Sequence, residues 1–292
     1  MKDISNDSVI IDSHVHITSP EIIDNIEQYR RLEPYFDLLC SSPANNNVTA
    51  AELIEHMNSV GIDKSVVFGF SFKNMDLCRK ANDYTIAMVN KYPDRLIGLA
   101  AVNPTHPKLT QELQRCRKAG LKGIGELFPV GQEFEITQRD NLETLCNFCR
   151  EYDWPIYVHL NEPIGHDYKG KTKDSITEGE ILANNFPEIT FVYAHFGGGL
   201  CFYELMPEVK KNLKNVYYDT AAAPFLYQKE IYQSLKAAGL LDKIILGSDY
   251  PLISPEVYLN RIDQTELNTD DKEFIYNKNI YNILGKAAVI SK

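Results

Sequence analysis

The feature that most constrains the fold is a regular alternation of short apolar runs with helix-like segments along the 292 residues. Such alternation, with near-continuously apolar strands, is typical of a parallel sheet covered by helices. Eight runs are present, which is the number that closes a (β/α)8 TIM barrel of the α/β class. No G-x-G-x-x-G turn of an open dinucleotide-binding sheet follows the first run. The predicted strands are residues 9–13, 65–69, 96–102, 120–126, 155–159, 190–195, 216–219 and 244–247.

The segments between the strands predict helices from their apolar spacing and their end signals. Thr49 and Glu52 form a capping-box pattern before a helix that ends at Gly61. Cys146 and Cys149 fall on the apolar stripe of a later helix, so we interpret them as core residues. The whole chain, residues 1–292, is predicted to form one barrel domain. The other predicted helices are residues 76–91, 107–119, 140–152, 177–185, 204–213 and 224–238.

Two connections are longer than the rest, after the first strand (residues 18–48) and after the fifth (residues 161–176). Loops that follow barrel strands lie at the C-terminal mouth, where they shape substrate pockets. We therefore expect both insertions to act as lids over a small-molecule substrate. His166, in the second insertion, is a candidate substrate contact.

Side chains that can bind metals stand at the ends of several predicted strands. His14 and His16 lie two residues apart, so their side chains project to the same side. A closed barrel would bring these and later residues to one rim. Imidazole and carboxylate are ligands for zinc, manganese or iron, and an open coordination position allows water to be activated. The later candidates are Glu126, His159, His195 and Asp249.

The segments around these residues also carry a family resemblance, which spans nearly the whole chain. They are Ile11 to His16, Val158-His159, Ala194 to Gly198, Val216 to Thr220, Leu246 to Pro251 and Asn279 to Gly285. Together they resemble the amidohydrolase superfamily, and within it the amidohydrolase 2 branch, which includes aminocarboxymuconate semialdehyde decarboxylase and resorcylate decarboxylases. A homodimer is also implied by this resemblance.

The resemblance implies a role for each of the strand-end residues. His14, His16 and His159 would ligate a divalent ion, with zinc preferred over manganese or iron. Asp249 would be a further ligand that also handles the proton of the attacking water. His195 would either bind a second ion or polarise the substrate.

Two carboxylates leave the details of this site open. Some members of the superfamily carry a glutamate at the end of the fourth strand and hold two ions, whereas others hold one ion without it. Glu126 is therefore either a metal ligand or a residue that only forms hydrogen bonds in its loop. Asp12 is predicted to orient a ligand imidazole, and the alternative is that it closes local hydrogen bonds of its strand. Lys122, deeper in the fourth strand, is not expected to bridge two ions.

The leading hypothesis is hydrolysis of a carbonyl, amide, ester or lactone carbon, with Asp249 taking a proton from water and returning it to the leaving group. The alternative is non-oxidative decarboxylation of an aromatic or unsaturated carboxylic acid. A decarboxylase should present an arginine to the carboxylate, and no arginine directly follows a predicted strand.

The predicted substrate contacts are Phe72, Phe128, His166 and His195. An inert barrel with a structural ion is disfavoured, because structural sites are normally closed by four ligands.

Charge and composition exclude other classes of function. A net charge of −10 disfavours a nucleic-acid partner, because phosphate binding needs a concentrated positive face. No apolar stretch is long enough to predict a membrane span, and residues 1–7 lack the apolar core of a signal peptide. The six cysteines have no framework spacing, which favours reduced thiols and a cytoplasmic location.

Overall fold

The computed structural model describes residues 9–42, 46–172 and 176–285, and these residues form the predicted (β/α)8 barrel. The strands are parallel and mostly shorter than predicted, because pairing stops where each chain turns into its loop. They are β1 Ile11–His16, β2 Lys64–Phe68, β3 Leu96–Gly98, β4 Ile124–Leu127, β5 Ile156–Val158, β6 Phe191–Tyr193, β7 Val216–Asp219 and β8 Ile244–Ile245.

Helices connect these strands and cover the outside of the barrel. They are α1 Pro20–Asp24, α2 Ile26–Leu32, α3 Pro34–Cys40, α4 Ala50–Val60, α5 Met75–Lys91, α6 Leu109–Lys118, α7 Pro129–Gln132, α8 Arg139–Tyr152, α9 Ile176–Asn185, α10 Pro207–Asn212, α11 Ala223–Leu226, α12 Ile231–Ala237, α13 Pro255–Asp263, α14 Thr269–Glu273 and α15 Asn279–Leu284. A π-helical turn, Phe274–Lys278, leads into α15. The described residues include no helix long and apolar enough to cross a membrane.

Two junctions close the sheet into a barrel. At the first, Ala100 pairs with Ile124, and the Ala100 amide donates to the Gly123 carbonyl at 2.9 Å. At the second, the Ser13 amide donates to the Leu246 carbonyl at 2.7 Å, and the Asp249 amide donates to the His14 carbonyl at 3.0 Å. The second junction therefore holds β1 beside the chain that follows β8.

Apolar side chains fill the barrel and leave the C-terminal rim to the polar groups. Ile11, Val66, Ile97 and Ile245 belong to one buried cluster. Ile280, Ile283 and Leu284 of α15 join the same cluster and cover the end of the barrel at which the strands begin. This dry interior makes the opposite end the place where a polar site can lie.

The two long insertions differ in structure. The first contains helices α1 to α3, where the sequence predicted only a loop; each helix is too short for apolar periodicity to reveal it. Tyr29 and Phe36 are buried and anchor these helices on the barrel. The second insertion is described as residues 161–172, which form an irregular loop, called here the substrate loop. Lys173, in the same predicted insertion, lies outside the described residues.

Helix predictions between β6 and β8 were only partly correct. The segment His195–Leu205 is a kinked 3-10 stretch in which Gly197, Gly198 and Gly199 have left-handed backbones, and α10 starts only at Pro207. The predicted helix 224–238 is divided into α11 and α12. The capping box of Thr49 and Glu52 is present on α4, and the two cysteines of α8 are buried as predicted.

Candidate metal centre

The first group of possible ligands stands on β1 and just after β8. The Nε2 atoms of His14 and His16 lie 3.3 Å apart. Oδ1 of Asp249 lies 3.4 Å from Nε2 of His16 and 3.7 Å from Nε2 of His14. We call His14, His16 and Asp249 the first triad; their ligand atoms are close enough together to share one ion.

A second group stands at the ends of β4, β5 and β6. Nδ1 of His159 lies 3.1 Å from Oε1 of Glu126 and 3.2 Å from Nε2 of His195. We call Glu126, His159 and His195 the second triad. The family resemblance implied that His159 shares the ion of His14 and His16, whereas its Nδ1 atom faces Glu126 and His195. Which strand ends share an ion depends on side-chain direction, which strand periodicity does not give.

Glu126 connects the two triads. Its Oε2 atom lies 3.7 Å from Nε2 of both His14 and His16, while its Oε1 atom faces His159 and His195. One carboxylate oxygen is thus directed at each group, which is the arrangement expected of a ligand shared by two ions. Lys122, the other candidate bridge, is exposed.

Hydrogen bonds leave ring nitrogens free to bind metal at the centre. Nδ1 of His14 donates to Oδ2 of Asp219 at 2.7 Å, and Nδ1 of His195 donates to the Ala221 carbonyl at 3.0 Å. In each neutral ring the lone pair is therefore on Nε2, directed into the site. Facing lone pairs at such short separations repel unless a proton or a cation lies between them. The donor set and its geometry therefore fit divalent ions.

Asp219, at the end of β7, does what the sequence assigned to Asp12. Its Oδ2 atom orients His14, and its Oδ1 atom accepts from the backbone amides of His195 and Ala221. Asp12 instead accepts from the Ser248 amide and hydroxyl. The prediction for Asp12 was wrong because an irregularity in the β1 register between Asp12 and Val15 breaks the alternation that would have put Asp12 beneath His14.

Neighbouring groups in the site shift the pKa values of Glu126, Asp249 and His14. Burial opposes ionisation of Glu126, yet His159 and His14 hold the pKa of its carboxyl well below the ordinary value. Burial likewise opposes ionisation of Asp249, and the bond to His16 with the charge of His14 lowers its pKa. Burial disfavours the charged form of His14, but Asp219 and Glu126 raise its pKa to about 10. Both carboxylates are therefore ionised at neutral pH.

Two of the site residues have an unusual backbone. His195 and Asp249 have φ values of 59° and 60°, in the left-handed region that non-glycine residues seldom occupy. Such conformations persist when surrounding bonds hold them and are concentrated at functional sites. Here the His14 carbonyl accepts from the Asp249 amide, and Asp219 accepts from the His195 amide.

A cavity of about 420 Å³ lies above the two triads, and both long insertions contribute residues to its lining. Phe128 and His166, predicted as substrate contacts, line it together with His195. Phe72 does not line the cavity: it is 1% exposed and packs behind Phe70, which takes the place in the wall. Among the described residues that line the cavity, no arginine is present, while Lys169 contributes a cation.

The barrel and the arrangement of its strand-end residues together are of the amidohydrolase type. A family model described as amidohydrolase matches residues 11–286, so the chain belongs to this family, as its strand-end segments predicted. No curated protein matches the sequence.

Solved structures share the fold at low sequence identity. An amidohydrolase from Staphylococcus aureus is 21% identical, with a TM-score of 0.73 over 94% of this chain and 99% of that chain. A 5-carboxyvanillate decarboxylase from Sphingomonas paucimobilis is 16% identical, with a TM-score of 0.76 over 95% and 99%. The corresponding enzyme from Novosphingobium aromaticivorans, in complex with manganese, is 17% identical, with a TM-score of 0.76 over 96% and 97%. Decarboxylases are named more often than hydrolases among such structures, which agrees better with the alternative hypothesis than with the leading one.

Sequence reasoning missed Asp219 and Asn161. Asp219 follows an apolar strand just as Asp249 does, and this pattern could have identified it. Asn161, which lies 3.1 Å from Nε2 of His159, stands in a loop where the sequence carries no periodic signal.

Proposed function

We propose that this protein is a metal-dependent hydrolase of small carbonyl compounds that works with two ions. The observation that carries the proposal is the position of Glu126, with one carboxylate oxygen directed at each triad. The structural neighbours described above are below 25% identity, so their likeness concerns the fold, and the choice of reaction rests on the site. A carboxylate shared by two ions suits a two-ion hydrolytic centre, in which the ions activate water and polarise the substrate.

When bound, a pair of divalent ions would make water nucleophilic and polarise the carbonyl oxygen of the substrate. One ion would be held by His14, His16 and Asp249, and the other by His159 and His195. Glu126 would be a ligand of both ions. Asp249 is the base: its carboxylate is ionised, it is partly open to the cavity, and it can accept a proton on an oxygen. The same oxygen can then return the proton to the leaving group.

The cavity favours a flat, largely apolar substrate. Phe70 and Phe128 form neighbouring walls, with ring centroids 6.2 Å apart, and Phe128 also meets the His159 ring edge to face at 4.6 Å. A ring-containing ester, amide or lactone matches these walls and leaves its carbonyl over the triads.

Decarboxylation of an aromatic acid is the second candidate. The observation that favours it is Lys169, a cation among the lining residues that is held by the hydroxyl and carbonyl of Ser41 at 3.2 and 3.4 Å. An ammonium group at that position would attract a carboxylate on the substrate.

The test is a substrate screen on protein loaded with zinc or manganese. We expect hydrolysis of members of a lactone, ester and amide panel, and no carbon dioxide from hydroxybenzoates. Asp249→Asn should lower kcat by about 10²–10⁴-fold at saturating metal, whereas the control Glu133→Gln, an exposed glutamate paired with Lys73, should not change it. Carbon dioxide release without any hydrolysis would establish the second candidate instead.

A further inference from the structure

The orientation of the Asn161 side chain is settled by its neighbours. Asn161 is 3% exposed and opens the substrate loop. The backbone amide of Thr172 donates to its Oδ1 atom at 2.7 Å, and the Thr172 hydroxyl donates to the same atom at 2.8 Å. A backbone N–H can only donate, so the atom it meets must be the amide oxygen. The amide nitrogen accordingly donates to the Tyr168 hydroxyl at 2.9 Å.

This assignment places a hydrogen on the Nε2 atom of His159. Its Nε2 atom lies 3.1 Å from Oδ1 of Asn161, which can only accept, so Nε2 must carry a hydrogen. A neutral imidazole with its hydrogen on Nε2 has its lone pair on Nδ1. Nδ1 is the atom that faces Glu126 and His195.

We propose that Asn161 is a positioning residue that selects the Nε2–H form of His159 and so presents Nδ1 to the metal. The inference rests on the metal centre of the proposed function and is independent of which reaction that centre performs. His14 and His195 would bind through Nε2, because their Nδ1 atoms are engaged by Asp219 and by the Ala221 carbonyl, whereas Asn161 would make His159 bind through Nδ1.

The same oxygen also links the metal centre to the cavity wall. Asn161 joins His159 to Thr172 and Tyr168, which belong to the substrate loop, and Tyr168 lines the cavity. Tyr168 in turn contacts Glu162, whose carboxylate pairs with Lys171 at 3.2 Å. The placement of the loop and the orientation of a metal ligand therefore depend on one side chain.

Removing the acceptor should weaken metal binding without removing a ligand. Loss of a hydrogen-bond partner of a ligating histidine typically lowers metal affinity about 10–100-fold. We expect this loss for Asn161→Ala. Asn161→Asp keeps an acceptor oxygen for Nε2–H and should stay within about threefold of the wild type. Thr172→Val, which removes a neighbouring hydroxyl but leaves Asn161 in place, is the matched control and should also stay within about threefold.

Two measurements on the full chain test the proposal. The first is Zn²⁺ affinity by chelator competition for the wild type and the three variants. The second is NMR of protein labelled with ¹⁵N in histidine and loaded with ¹¹³Cd²⁺, in which the metal couples to the ring nitrogen that binds it. The wild type should show coupling to Nδ1 of His159 and a hydrogen on Nε2. Asn161→Asp should retain both signals, and Asn161→Ala should lose the coupling to Nδ1.

Two results would overturn the proposal: coupling to Nε2 of His159 in the wild type, or unchanged affinity and coupling in Asn161→Ala. If the wild type binds neither Zn²⁺ nor Cd²⁺, this inference, the metal centre and the proposed function all fail. If coordination is as expected but no ester, amide or lactone is hydrolysed, only the proposed function fails.

Discussion

The two triads contain similar ligands but are held in place differently. In the first triad, the orienting partner of His14 is the side-chain carboxylate of Asp219, and both groups are fully buried. In the second triad, His159 and His195 are oriented by neutral oxygens, those of Asn161 and of the Ala221 carbonyl. Hydrogen bonds between charged groups are roughly twice as strong as neutral ones. The first triad therefore has the stronger orienting bond, and the second is connected through Asn161 to the substrate loop.

The largest effect should follow from Asp219→Asn, which removes the stronger of the bonds that orient the ligand histidines. The amide oxygen can still accept from the His195 and Ala221 amides, but an NH₂ group replaces the acceptor of His14 Nδ1–H. We expect about a 100-fold loss of metal affinity and about 3–5 kcal/mol lower free energy of unfolding for the metal-free protein. Chelator competition and urea unfolding measure these two quantities. Unchanged metal affinity would show that Asp219 does not orient the first triad.

The pH dependence of the difference in unfolding free energy between the wild type and Asp219→Asn tests the same pairing of His14 with Asp219. Asp219 and Glu126 raise the pKa of folded His14 to about 10, against an ordinary value of 6.5. The stabilisation from protonated His14 is therefore fully present below about pH 6.5 and is lost as pH rises through 10. In urea unfolding of metal-free protein, the gap between wild type and Asp219→Asn should narrow steadily over this range. A gap that is constant with pH would contradict the ionic pairing.

A smaller effect should come from crowding the first triad. A Cβ atom at Gly247 would lie 2.7 Å from Cβ of His14 and 3.1 Å from Cβ of Asp219. Gly247→Ala should lower stability by about 1–3 kcal/mol and weaken metal binding, because His14 must move. Gly98→Ala is the control: its Cβ would lie 2.5 Å from Leu121 and 2.9 Å from Val89, away from both triads, so it should lower stability alone. Equal metal affinity in the two variants would show that metal binding tolerates movement of His14.

The sequence predicted the fold well because the barrel depends on repetition. Alternating apolar runs and helices identified the eight strands, and strand periodicity placed His14 and His16 on one face. It could not reveal α1 to α3, since helices of five to seven residues show too little apolar periodicity. It also could not detect the irregularity after Asp12, which moves that carboxylate away from His14.

The candidate site was predicted as a set of residues but not as an arrangement. A carboxylate at a strand end is equally suited to bind an ion, as expected of Asp249, or to orient a ligand, as Asp219 does. Choosing between them requires the directions of the side chains. The division into two triads has the same origin, because strand periodicity does not say that Nδ1 of His159 faces Glu126 and His195.

The central claim is that Glu126 joins two ion-binding triads, and metal stoichiometry tests it most directly. Elemental analysis of chelator-free protein should give two divalent ions per chain for the wild type and for the control Glu133→Gln. Glu126→Gln, which removes the shared charge, should retain one ion or fewer. One ion per chain in all three proteins would contradict the account.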